Sequence, residues 1–525
     1  MKDKFIKFIK EDGMYLLVFV LLFILVSAIN LVTFEKGGLF NLQIPFKTHF
    51  GTCSFIGTTL MAIGGFFLLW KIDKKKIKLE KVFLALVIPL GILWCLANPL
   101  GRVPDEEHHS RKAMSIANGN FFAKADETGV AYDMFNAKLN ETVSKHIKSY
   151  DEAWKKMNAP ETEGTQRLDY NTMALYAPIC HMPQAIGIVV GKIIHAPIHI
   201  QCYLARVSNF LVAVFLIYNA IKLIPFKKHI IMFIAMLPIT LYELASMSAD
   251  ALTISMSLFF ISYVLYLKYD NNVQKISKKQ LLILIGSSIV IALCKIVYIP
   301  LCLLLFILPK EKFESLKKKN IICISIIAIC VILNLIWLVY CSRFLIEFNS
   351  GVNSKEQVIY ILTHPITYIL TMFRTMNMYH QTFVMSLCGE GLAHYSAQAS
   401  VLFVLPCIAL FAMVLLINED KDVKIDWITK LISLAIFLII LLLIYTSLYV
   451  QWNTLKSSII TGIQSRYFIP ILLLIPIIFN NSKIIINGKM ENRYLLAFML
   501  FFNLNALSAT AFTYMTQNII EYYVK

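Results

Sequence analysis

The sequence predicts an all-α, polytopic transmembrane helical bundle, and three observations predict it. The 525 residues are 58% hydrophobic with a mean hydropathy of +0.67, more apolar than soluble domains are. Runs of roughly 20 apolar residues, the length a helix needs to cross the hydrocarbon core, recur along the whole chain. Lysines crowd the short loops between those runs, in "MKDKFIKFIK", "KIDKKKIKLEK", "QKISKK" and "KEKFESLKKK". A β-barrel is excluded because strict alternation of apolar and polar residues is absent. The net charge of +17 is therefore a topology signal, since positive short loops stay on the cytoplasmic side. It also attracts anionic membrane lipids, and it is not the footprint of a nucleic-acid partner.

The lysine loops set the order of the elements. Met14–Phe34 leads outward; it lacks a small-x-small cleavage site and many apolar runs follow, so it is a retained span and not a signal peptide. Gly51–Trp70 returns to the basic loop, and Val82–Leu100 leads out again. Residues 101–200 form a long external loop between spans 3 and 4 whose acids and bases nearly balance, as a segment kept outside should. Inside it, "YAPICHMPQAIGIVVGKIIHA" is broken by Pro178 and Pro183 and predicts a helix lying in the outer interface. Tyr203–Leu223, Ile230–Leu244 and Ala251–Leu267 follow, then a short hairpin, Leu281–Leu293 with Val297–Leu308, that carries Lys295 at its outer tip. Ile321–Tyr340 leads to a second external stretch, 342–398. Whether "HPITYILTMFRTM" within it, His364–Met376, spans stays open: if it does, every later loop flips, and the no-span version is favoured because Lys421, Lys424, Lys483 and Lys489 then fall inside. Val401–Ile417, Trp427–Val450, Phe468–Phe479 and Tyr494–Tyr514 complete about thirteen spans. The chain divides into an N-terminal transmembrane hairpin with basic cytoplasmic ends, 1–81, and a transmembrane domain, 82–525. No internal repeat is visible, which disfavours transporters built from duplicated halves. No prenylation or retention signal closes the chain. The eleven cysteines are scattered without a CxxC, so they suggest neither a zinc site nor a disulfide framework.

The densest group of proton-handling side chains is "PDEEHHSRKAMSIANG", directly after the third span. Locally it starts a helix: Asp105 is placed to accept from exposed N–H groups as the N-cap, Glu106 and Glu107 suit the positive end of the dipole, and Gly119 closes it. Its location gives a second meaning. A carboxylate at the lipid boundary stands where a lipid-tailed substrate presents its head group, and burial beside like charges raises a carboxyl toward the range of a general base. Asp105 with His108 or His109 also shares a helix face, a set of oxygen and nitrogen ligands that would admit a divalent cation such as Mg or Mn. No HExxH occurs, and paired histidines at an interface also serve as titrating surface groups, so whether a metal binds stays open.

"PDEEHHSRKAMSIANGN" resembles the signature of the DUF2142 family of bacterial membrane proteins. "YAPICHMPQAIG" with "ARVSN", "SMSADAL", "ALCKIVYIPL", "ILTHP" and "IQSRYFIPILLLIP" resemble further family segments, in order, over most of Leu96 to Pro476. That family is similar to the GT-C glycosyltransferases, multi-span enzymes that take a sugar from a polyprenyl-phosphate carrier on the outer face. The resemblance implies a GT-C-like bundle in the cytoplasmic membrane, with the active site facing outside. It implies an acidic residue after a span as base on the acceptor; the matching position is Asp105, with Glu106 beside it. Here that acid follows the third span where GT-C enzymes have it after the first, and the added N-terminal hairpin preserves the sidedness.

A polyprenyl phosphate leaving group needs its developing charge stabilised. Lys295, Arg466, Arg206 and Arg374 all fall at outer-face positions, where charged residues near membrane depth are functional or paired, or snorkel to lipid head groups. Lys295 interrupts a purely apolar hairpin, and Arg466 precedes "YFIPILLL", placed to meet a phosphate bidentately. Asp250 pairs with one of these cations or caps the span that follows. His181, Tyr176 and Tyr379 lie in external, partly apolar segments and are candidates for sugar contact, as are His108 and His109; interfacial aromatic belts account for the tyrosines equally well. His364, before Pro365, is a second proton carrier or a helix boundary. The expected function is transfer of a sugar from a polyprenyl-phosphate donor to a cell-envelope glycan, glycolipid or protein. The alternative is a transporter or flippase for a lipid-linked glycan, for which ionisable groups near the midplane of several spans are too few.

Overall fold

A backbone withdrawn from water must satisfy its own N–H and C=O groups, so the apolar runs become helices. The computed structural model describes residues 2–35, 49–72, 75, 77–160, 164–344, 351–392, 401–416, 423–480 and 492–523. Lys421, Lys483, Lys489 and parts of the 342–398 stretch lie outside them. Among the described residues six helices are long and apolar enough to cross a membrane: Leu79–Ala97, Ile198–Leu223, Asp250–Tyr269, Leu316–Phe344, Trp427–Gln451 and Arg493–Met515. Two are the most enclosed, with 83% of the apolar window buried in Asp250–Tyr269 and 78% in Arg493–Met515. Two lie outermost, with 22% buried in Leu316–Phe344 and 28% in Trp427–Gln451; exposed Ile324, Ile332, Leu335 and Val339 on the former are an apolar face suited to lipid.

The expected count of about thirteen spans is not reached by helices of spanning length, for two physical reasons. Ile230–Leu244 is not one helix but two, Lys228–Ala235 and Pro238–Leu244. Pro238 drives Leu237 out of the helical region, to φ −60 and ψ 135, as a proline does to the residue before it. Val297–Leu308 and Phe468–Phe479 are mainly not α-helical: Ile296–Ile307 and Ser465–Leu474 are 3-10 helices. A 3-10 helix rises about 2 Å per residue against 1.5 Å in an α-helix, so these short runs reach deeper than their lengths suggest. Each begins after a residue in extended backbone, Lys295 and Gln464. The Tyr298 hydroxyl ties the two together by donating to the Tyr467 carbonyl at 2.7 Å. Of His364–Met376, all but His364, which stands just before it, lies within a 23-residue helix, Pro365–Leu387, which is not among the helices apolar enough to span.

The N-terminal hairpin, helices Lys2–Glu35 and His49–Ile72, packs on the last helix. Asp12 anchors it, accepting from Trp70 at 2.8 Å and pairing with Arg493 at 2.7 Å.

Segment 101–200 is not purely helical. Beside the helix Glu106–Ala117 stands a three-stranded antiparallel sheet of Lys124–Ala125, Ala131–Asn136 and Thr165–Asp169. Tyr132 lies opposite Asp169 and Asn136 opposite Thr165. Buried Asp133 of the middle strand accepts from Ser115 at 2.7 Å and Asn120 at 2.9 Å, fixing the sheet to that helix. The proline-broken segment is a 3-10 turn, Pro178–His181, followed by a helix, Met182–Ile193. That helix lies against Ile198–Leu223 at backbone contact: a Cβ on Gly187 would stand 2.2 Å from the Leu204 carbonyl oxygen. Its other face exposes Ile186, Val190 and Ile193.

Candidate functional site

The chain leaves the helix Leu79–Ala97 through a turn at 98–105 and enters the helix Glu106–Ala117. Gly101 makes this turn, at φ +89, where a Cβ would stand 2.4 Å from the Ser144 nitrogen. The two acids that follow point in different directions.

Glu106 turns inward. Its carboxylate accepts from Arg206 Nε at 2.7 Å and Nη2 at 2.6 Å, from the Gly101 N–H at 2.9 Å and from the Met247 N–H at 3.0 Å. Arg206 gives its remaining N–H groups to the carbonyls of Cys95, Asn98 and Pro99. Both side chains are fully enclosed. The pair ties the end of one span, the start of the acidic helix, the helix Ile198–Leu223 and the 246–248 turn into one unit.

Asp105 turns outward. It precedes the helix in a left-handed conformation, φ +64, and its side chain caps no N–H group of that helix. Such a conformation is strained for most residues and tolerable for aspartate. The carboxylate instead accepts from Arg466 Nη2 at 2.6 Å. Arg466, from the 3-10 helix Ser465–Leu474, is buried and faces two further carboxylates. Its Nη1 donates to Glu243 at 3.3 Å and to the Pro104 carbonyl at 3.4 Å. Its Nε lies 3.4 Å from Asp250 Oδ2 in an ion pair but makes no hydrogen bond. Asp250 also pairs with Lys295. The Tyr467 ring lies under both cations, 4.8 Å from Lys295 Nζ and 5.6 Å from Arg466 Cζ. Five segments thus bring three carboxylates and two cations together. Exposure separates the carboxylates: the side chain of Asp105 is 48% exposed, that of Glu243 2% and that of Asp250 8%.

One turn along the acidic helix, His109 Nδ1 lies 2.8 Å from His181 Nε2, with the Tyr176 ring packed edge-on against both. Both imidazoles are buried, and His181 Nδ1 has no hydrogen-bond partner among the described residues. Burial pushes His109 down to about 4 and His181 well below its ordinary value. Burial likewise lowers His108, which faces Arg111 at 3.5 Å. At Asp105 burial raises the carboxyl, and the adjacent Arg466 guanidinium and the nearby His109 more than offset it, so the group sits below the usual carboxylate range.

Of the residues singled out in the sequence, Asp105, Asp250, Lys295 and Arg466 form this cluster, and His109, His181 and Tyr176 form the neighbouring ring group. Glu106 and Arg206 are adjacent to it but spent on each other. Arg374 is exposed on the helix Pro365–Leu387 and enters no ion pair among the described residues. His364 is exposed, contacts Thr363 at 2.8 Å and stacks on Tyr360. Glu243, Tyr298 and Tyr467 were not singled out. Glu243 carried the signal for it, an acid at the end of an apolar run, where ionisable groups are functional by default. Among the described residues no three His, Cys, Asp or Glu side chains are gathered to hold a metal ion; the carboxylates that converge here converge on Arg466.

No curated protein and no solved structure matches the chain. One family model, described as predicted membrane protein (DUF2142), matches residues 88–475, a span that holds every member of the charged cluster. With nearly three quarters of its length under that match, the chain belongs to the DUF2142 family of membrane proteins.

Proposed function

We propose that the protein is a GT-C-like glycosyltransferase that moves a sugar from a polyprenyl-phosphate donor to a cell-envelope glycan, glycolipid or protein on the outer face of the cytoplasmic membrane. The observation that supports this best is Asp105: an accessible carboxylate held against a buried guanidinium, with an ammonium one carboxylate away. Base and phosphate-binding cations are then within one side chain of each other, as transfer from a phospholipid donor requires.

In that reaction the Asp105 carboxylate takes the proton from an acceptor hydroxyl as its oxygen attacks the anomeric carbon. The acceptor–sugar C–O bond forms, the sugar–phosphate C–O bond breaks, and the electron pair leaves on the phosphate oxygen. Arg466 and Lys295 stabilise that charge in a site where fixed donors act more strongly than in water. A single displacement inverts the anomeric configuration. Tyr176 and Tyr467 offer ring faces and edges to the sugar.

The test is reconstitution in proteoliposomes with a synthetic polyprenyl-phosphate sugar and an envelope glycan acceptor. Labelled sugar should appear covalently on the acceptor. Movement of intact donor across the bilayer without transfer would show a flippase instead.

A further inference from the structure

The cluster holds three carboxylates and two cations, so a phosphate simply added to it would be a fourth anion beside two positive charges. Desolvating an unbalanced charge costs several kcal/mol. Only one of the three carboxylates can leave cheaply. Glu243 and Asp250 are enclosed, while Asp105 is half exposed and water can receive it. Arg466 also has an enclosed Nε that pairs with Asp250 at 3.4 Å without a hydrogen bond among the described residues, so the guanidinium that Asp105 holds through Nη2 has a donor to spare. The turn at Asp105 is left-handed, φ +64, a conformation that aspartate and glycine accept.

We propose that Asp105 is the resting occupant of an anion site on Arg466, and that the phosphodiester of a lipid-linked donor enters by exchange with it. A phosphodiester carries one negative charge, so the exchange leaves the charge balance of the enclosed groups unaltered. It also arms the base. On Arg466 the carboxylate is a weak base; displaced, it loses that partner and keeps its partly buried setting beside His109, so its proton affinity rises. The acceptor is therefore activated only when a donor is seated, which protects the enzyme from unproductive proton transfer. This inference rests on the glycosyl-transfer reading for its purpose, and its test does not need sugar transfer.

The test is binding of methyl farnesyl phosphate to the detergent-solubilised full chain by calorimetry at pH 7.5, with dimethyl phosphate as the lipid-free arm. Asp105→Asn should bind the probe on the order of tenfold more tightly than wild type, about 1.4 kcal/mol, because the competing anion is gone. Asp105→Gly suits the positive φ and carries the same expectation should asparagine disturb the turn. Asp105→Glu retains an anion and should show no such gain, and Glu107→Gln, which removes a neighbouring charge that faces Arg111, should leave affinity unchanged. The gain should appear with both probes, and absolute affinity separates their sources: tighter binding of methyl farnesyl phosphate than of dimethyl phosphate identifies a lipid-linked occupant, and equal affinity for the two identifies a soluble phosphodiester. Unchanged or weaker binding in both neutral variants overturns the exchange, even if sugar transfer is established. Tighter binding without any sugar transfer leaves the exchange standing and removes the glycosyltransferase.

Discussion

Asp105 and Glu106 are consecutive acids with opposite surroundings, and the difference decides what each can do. Glu106 has every lone pair engaged and no access to water, so it cannot serve as a base without dismantling the Arg206 clamp. Arg206→Met strands a buried carboxylate and should cost about 3–5 kcal/mol, read as a lower thermal midpoint in detergent; Glu106→Gln with Arg206→Met should recover part of it. An unchanged midpoint in the single variant would contradict a structural clamp. His109 contributes a pH dependence, as do the similarly lowered His181 and His108. An unfolded imidazole titrates near 6.5, whereas burial holds the folded one down at about 4. Between those values the unfolded chain binds the additional proton, so stability is intact above 6.5 and is lost as pH falls toward 4. His109→Gln should make the midpoint less sensitive to acid over that window; an undiminished slope would show that other groups carry it. The identities of Asp105, Lys295 and Arg466 as a group were legible because charges beside apolar runs are costly. That Glu106 and Arg206 neutralise each other was not, since both satisfy the same sequence criterion and only three-dimensional pairing separates them.

Elements position these residues, and two kinds matter. The 3-10 helices Ile296–Ile307 and Ser465–Leu474 each bring a cation to their start, Lys295 just before the first residue and Arg466 as the second. They were invisible in the sequence because an uninterrupted apolar run has no phase from which to distinguish 3.0 from 3.6 residues per turn. The sheet was missed for a different reason: "AYDMFN" places Asp133 on its buried face, which breaks the apolar–polar alternation that marks a strand. By contrast, the separate helix Met182–Ile193 was legible from Pro178 and Pro183, and the break before Pro238 could have been read by the same rule. The close approach at Gly187 makes the docking of this helix testable. Gly187→Ala pushes a methyl against the Leu204 carbonyl, and backbone cannot move aside as a side chain can. We expect a loss of about 1–3 kcal/mol with reduced donor binding, because His181 and Tyr176 lead into this helix. Wild-type stability would mean that the helix is not held there.

For the whole molecule, two of the apolar helices are largely enclosed by others, and the charged cluster lies where apolar helices meet the 101–200 segment. Fold class followed from composition, because an apolar chain of this length has few alternatives to a helical bundle. The span count did not, because run length counts apolar residues whether they form one helix, two short ones or a 3-10 stretch. Sidedness is directly measurable. The ten described cysteines are all buried, so a membrane-impermeant maleimide should report introduced ones at exposed Glu127 and Lys279. Glu127→Cys should label in intact cells and Lys279→Cys only after permeabilisation; the reverse pattern would place the cluster on the cytoplasmic side and remove an outward-facing site. The central claim, that Asp105 is the base of a phosphodiester-dependent transfer, is tested most directly by single-turnover sugar transfer with Asp105→Asn in proteoliposomes at saturating donor. A rate about 10²–10⁴-fold below wild type, with donor still bound, is the predicted result; transfer at the wild-type rate would contradict it.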